Sequence, residues 1–294
     1  MADQQKQWVS IGSGELTAAI DPLGAQLSIL RDHSGRDLLW DGDPAVWAGR
    51  APLLFPIVGA LAGGSYRLDS KDFPLSRHGF ARGKLFDNIE TSAAAAAFRL
   101  TADEASFQVY PFNFELDVHF AIEGSALTMT AGVRNKGAAD MPASIGFHPA
   151  FRWPLPFGHA RSSHFIEFAR AEPEPIRRLN AQGLLSPQSH PSPVSDRCLA
   201  LDDALFQDDV IIFDCLRSRS VTYGAKEGPR IQVAFPNARY LGVWTKTAAN
   251  FICIEPWDGM ADPEGFSADF RTKPGIVMVP AGEALTLTMT IALL

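Results

Sequence analysis

The sequence predicts an all-β protein, a large antiparallel β-sandwich. Three observations carry that prediction. Apolar residues recur with a period of two over long stretches. Helical periodicity is almost absent, and 24 glycines and 21 prolines break the chain at turn-like intervals. Alternating runs between turns form paired strands with one apolar face each, and two such faces bury one another.

The elements follow in chain order. The alanine tract at 93–97 runs into Phe98-Arg99-Leu100, and helix and strand both stay open there because propensity is a weak guide. From Phe114 the pattern is clear: Phe114, Leu116, Val118, Phe120 and Ile122 alternate with Glu115, Asp117, His119 and Ala121. After Gly124-Ser125, the residues Leu127, Met129, Ala131 and Val133 alternate again up to Asn135-Lys136-Gly137, which predicts a hairpin. Residues 171–196 hold Pro173, Pro175, Pro187, Pro191 and Pro193 and read as a long loop, a kind of segment that is often functional. Ile231, Val233 and Phe235 form a short strand pattern, as do Phe251, Cys253 and Glu255. Leu285, Leu287, Met289 and Ile291 alternate with threonines at the end of the chain. No repeat and no break in pattern marks a boundary, so 1–294 reads as a single domain.

Composition narrows the function. The net charge of −7 is spread along the chain without a basic block, which argues against nucleic acid and anionic membranes as partners. Cys198, Cys215 and Cys253 have neither zinc-site nor redox spacing and suit a reducing cytoplasm. Residues 1–6 show no basic-then-apolar signal, and no apolar run is long enough to span a bilayer.

Two short segments stand out: Gly146-Phe147-His148-Pro149 and Cys253-Ile254-Glu255-Pro256-Trp257. Each sets a titratable side chain before a proline, whose ring favours an extended pose and tends to end a central strand. His148 and Glu255 are therefore expected at strand ends beside a cleft, where they would make a general acid and a general base. Taken alone, His148 fits equally well as a buried histidine bonded to a carbonyl. Glu255 follows an uncharged apolar run and is better explained by function than by an ion pair with an arginine. His78, in Ser76-Arg77-His78-Gly79, is either a substrate contact or a solvated turn residue. Arg50 precedes an apolar stretch and offers a donor fork for hydroxyls, or a structural ion pair. His33, His119, His159, His164 and His190 read as surface groups. Metal, Walker and nucleophile-elbow motifs are absent.

Residues 39–44, 47–59, 77–82, 146–151 and 254–262 occur in the order and spacing of the aldose 1-epimerase (mutarotase) family, and the chain resembles its shorter bacterial branch. The resemblance implies the galactose mutarotase-type β-sandwich, Glu255 as general base and His148 as general acid. It implies that His78 bonds the sugar near its ring oxygen, that Arg50 binds hydroxyls, and that Asp209, or its neighbour Asp208, does the same. Trp257, Trp244 or Phe147 would stack on the sugar. In that reaction Glu255 takes the anomeric hydroxyl proton while protonated His148 donates to the ring oxygen. The open aldehyde then rotates and recloses, with no nicotinamide, metal or other cofactor. The expected partner is an aldohexose or its phosphate. Arg77, Arg82 and Lys84 would serve the phosphate. A non-catalytic sugar sensor and a cupin-like metal site built from His78, His148 and Glu255 are the competing readings.

Overall fold

A computed structural model describes residues 8–294, so the reading of residues 1–6 as lacking a signal lies outside the described residues. Nearly all regular structure is β. The single α-helix among the described residues, Glu104–Val109, is six residues long and starts from a capping box between Asp103 and Ser106. No helix among the described residues is long and apolar enough to cross a membrane.

Two large antiparallel sheets share one core. The nine-stranded sheet is built around the expected hairpin, Phe114–Glu123 with Ala126–Asn135, flanked by Ala284–Leu293 on one side and Ala95–Thr101 on the other. Period two explains it: Leu116, Val118 and Phe120 point inward while Glu115, Asp117 and His119 are less buried. The outer face of the central pair is zipped by threonines, Thr128 to Thr290 at 3.1 Å and Thr130 to Thr288 at 3.4 Å. The alanine tract resolves as strand, because Ala95–Thr101 pairs with Phe114–Glu123 along its whole length and buries Ala96, Phe98 and Leu100. Tertiary pairing overrides alanine's local preference for helix.

The eight-stranded sheet carries the candidate site. Its central strand is Phe251–Asp258, fully buried and paired with Tyr240–Trp244 on one side. On the other side lie two short strands in succession, Ile145–Phe147 and Ala150–Arg152. Both faces of the central strand are covered. Ile252 and Ile254 belong to the core shared with the nine-stranded sheet. On the opposite face Phe251 and Cys253 pack with Trp40 and Ala150, and Trp257 packs with Leu54, Val58 and Ile212.

Three expectations need correction. The proline-rich region is not a loop throughout: Ile176–Leu179 and Leu185–His190 pair as a hairpin that ends the eight-stranded sheet. Pro187 sits in the outermost strand, where a missing N–H costs no ladder bond. His164 is buried rather than exposed, its Nε2 accepting from the Leu155 N–H at 3.0 Å and its Nδ1 2.9 Å from the Ala160 carbonyl. Phe147 lies in the shared core, away from any stacking role.

Candidate active site

Pro149 and Pro256 act differently. The chain breaks between Phe147 and Ala150, so His148 and Pro149 sit in a gap between two short strands. Glu255 is not at a strand end: its strand continues through Pro256 to Asp258. Pro256 stays in register with Leu241 on the neighbouring strand. The two short strands share one register, with Gly146 opposite Trp257 and Ala150 opposite Cys253. Carried through the gap, that register sets His148 directly across from Glu255.

The two side chains meet. His148 Nε2 lies 3.3 Å from Glu255 Oε2. Glu255 is 1% exposed and His148 8%. Trp47 stacks on the His148 ring at 5.2 Å, and Trp244 meets it edge-on at 5.8 Å. The pair opens onto a cavity of about 190 Å³ whose wall also includes His78, Asp209, Arg77 and Trp257.

Each of these neighbours is positioned by its backbone. His78 has φ 68°, a left-handed conformation that costs a non-glycine residue about 1–3 kcal/mol. Its N–H donates to the Gly59 carbonyl at 2.9 Å, and its Nδ1 accepts from the Gly59 N–H at 3.1 Å. The neutral ring therefore carries its proton on Nε2. Gly79 is required beside it: φ is 73°, and a Cβ there would lie 2.2 Å from the Phe55 carbonyl oxygen. Asp209 also has positive φ, 63°, and Arg178 pins its loop by donating to the carbonyls of Asp209 and Leu205 at 2.8 and 2.7 Å. The Trp257 indole lies across Gly146 and Gly242, on both neighbouring strands, where any Cβ would strike it at 2.7 or 2.4 Å.

The electrostatics follow from dryness. Burial first, with smaller contributions from the charges of Arg82 and Arg77, holds His148 down to about 3 against a raising backbone hydrogen bond. Burial raises the Glu255 carboxyl well above its usual range, and the Asp209 charge adds to this, opposed by the Trp257 indole and Arg77. His78 is held well below its ordinary value by burial first, then by His148 and the two arginines. Burial thus shifts both groups toward their neutral forms, a carboxylic acid and an uncharged imidazole. Loss of water is the first cause of the shift in both groups.

The structure brings His148, Glu255, His78, Asp209, Trp257 and Trp244 to one cavity. Arg50 is not among them. Its guanidinium donates to the Ser28 carbonyl at 2.9 Å and lies over the Trp8 ring, so the stretch after it is apolar for packing reasons. Asp208 is exposed and faces an adjoining outer groove, so Asp209 is the aspartate at the site. Lys84 turns away to Asp103 at 3.1 Å. Arg77 and Arg82 do line the cavity. The role of Trp47 was invisible locally, because it sits in a stretch with no periodicity. Only its place in the 47–59 segment singled it out.

Comparison with known proteins now decides the family. The sequence model of the family described as aldose 1-epimerase matches residues 7–265. The chain is an aldose 1-epimerase family member. It is 34% identical over 274 residues to the plasmid-borne protein LacX of Lactococcus lactis subsp. lactis, covering 90% of this chain and 92% of that protein. Among solved structures it superposes on a galactose mutarotase related enzyme from Lactobacillus acidophilus with a TM-score of 0.91 at 26% identity, covering 98% of this chain and 97% of that one. A galactose mutarotase-like protein from Lactobacillus casei gives the same score and identity, covering 98% of this chain and 100% of that one. The mutarotase-type β-sandwich of the family is the fold described above.

Proposed function

We propose that this protein is an aldose 1-epimerase, a mutarotase that interconverts the α and β anomers of an aldose through acid–base ring opening. The observation that carries this reading is the buried, directly opposed His148–Glu255 pair at 3.3 Å, open to a cavity lined by polar groups and indoles. Anomer exchange needs one group to remove the anomeric proton and another to protonate the ring oxygen, then the reverse. A pair sharing one proton supplies both roles. The ionic form, carboxylate and imidazolium, is one proton transfer away from the neutral form that burial favours. Hydroxyls of an entering sugar replace part of the lost water and favour it. After ring opening the proton lies on Glu255, which is the neutral form again. His78 Nε2–H and Asp209 offer a donor and an acceptor to hold the ring, and Trp257 and Trp47 offer apolar faces. The three free thiols, Cys198, Cys215 and Cys253, fit a cytoplasmic setting.

Glu255→Gln keeps the shape of the side chain and removes the proton exchange. Polarimetry on freshly dissolved α-D-glucose and α-D-galactose is expected to show a rate at least about a hundredfold lower than wild type. A rate near wild type overturns the reading.

One observation favours a phosphorylated hexose as the substrate. Arg77 and Arg82 line the cavity, and among the described residues neither has a carboxylate within ion-pair distance. Rates on glucose and glucose 6-phosphate compared side by side separate the two substrate classes.

A further inference from the structure

We infer that Cys253, His148 and Glu255 form a binding site for one soft divalent cation of the Zn²⁺ class, and that its occupancy silences the acid–base pair. The second half rests on the epimerase reading; the first does not. One ligand atom from each residue, a ring nitrogen, the thiol sulfur and a carboxylate oxygen, lies within 4.8 Å of the other two, and all three residues are buried. Atoms so spaced leave a point within about 2.8 Å of all three, against zinc bonds of about 2.0–2.3 Å. A shift of roughly 0.5–0.8 Å per side chain closes the site.

The backbone favours convergence. Cys253 and Glu255 are two apart on one strand and share a face, and His148 stands opposite Glu255 on that face. His148 Nδ1 is buried without a hydrogen-bond partner, while its Nε2 faces Glu255. Charge balances as well. A thiolate and a carboxylate neutralise the dication with the imidazole uncharged, and a neutral assembly suits a place that disfavours each ion alone. On binding, the S–H proton of Cys253 and the proton shared by the pair leave for solvent. The sulfur selects against Mg²⁺ and Ca²⁺. Motif spacing misses such a site because the histidine comes from a segment far off in sequence, between two other strands.

The test uses the full chain with the exposed thiols removed, Cys198→Ser and Cys215→Ser. Co²⁺ titration followed by absorption is expected to give one ion per chain and a cobalt–thiolate charge-transfer band that Zn²⁺ displaces. Cys253→Ser is expected to abolish the band and, in competition with a chromophoric chelator, to lower Zn²⁺ affinity by more than about a hundredfold. Glu255→Gln, with an unchanged circular dichroism spectrum, is expected to weaken binding while keeping the band. Absence of one-to-one binding, or a band that survives Cys253→Ser, overturns the site. Polarimetry then separates the two halves. A protein that binds Co²⁺ through the thiolate yet never turns over sugar keeps the site and sinks the epimerase reading. Mutarotation unchanged at saturating Zn²⁺ sinks the proposed silencing.

Discussion

At the scale of single residues, the proposed chemistry turns on where one proton rests between His148 and Glu255. Dryness lowers the imidazole to about 3 and raises the carboxyl. The working state needs one proton on the pair. It is lost on the acid side only when His148 also takes a proton, and on the alkaline side when Glu255 gives its proton up. The profile of kcat/KM against pH is therefore expected to lack an acid limb in the ordinary histidine range, with its alkaline limb set by the raised carboxyl. An acid limb with an apparent pKa near about 6.5 in polarimetric rates overturns this account. Sequence made both residues legible because each stood before a proline in an apolar run. Their charge states were not legible. They depend on Trp47, Trp244 and a cross-strand neighbour that no local pattern reports.

At the scale of elements, glycines and a buried ion pair shape the cavity. Gly242 leaves its strand flat enough for the Trp257 indole to lie over it. Gly242→Ala is expected to tilt the indole and raise KM for sugar by about tenfold, or about 1.4 kcal/mol, with a smaller effect on kcat. Steady-state polarimetry with near-ultraviolet circular dichroism checks this. A second support is Lys273, 2% exposed, which donates to the Met260 carbonyl and lies 3.4 Å from Asp262. Asp262 in turn accepts from the Ala62 N–H at 2.9 Å, and the Leu185 N–H donates to its carbonyl at 2.8 Å. Together these tie the segment carrying Gly59, which holds His78, to the segment carrying Ala261. Lys273→Met leaves the Asp262 charge buried alone and is expected to cost about 3–5 kcal/mol in urea unfolding. A loss below about 1 kcal/mol contradicts this role.

At the scale of the whole molecule, the site and the fold pull against each other. Glu255 binds its proton more tightly folded than unfolded. Its contribution to stability is full below its ordinary carboxyl range and is lost as pH rises through its raised value. Glu255→Gln removes that loss. Melting of the variant is expected a few degrees above wild type at neutral pH, the gap closing near pH 4.5. A variant that melts lower at neutral pH contradicts it. The fold was largely legible. The hairpin from Phe114 and the strand from Leu285 alternate cleanly because one face meets the core and the other meets water. Legibility failed where partners at a distance decide. Alanines 95–97 became strand by pairing, and the prolines of 171–196 hid an edge hairpin. Arg50 looked functional only because its packing partners, Ser28 and Trp8, lie far off in sequence.

The gap at His148-Pro149 keeps its count. Two short strands meet one partner in a single register, so the stretch from Gly146 to Ala150 works as a ruler of fixed length. Exchange of side chains along it leaves the ruler intact. Adding or deleting one residue would slip every position beyond by one and turn the imidazole from the cavity toward the core. A change of length in this segment is therefore expected to separate His148 from Glu255 whatever side chains surround them.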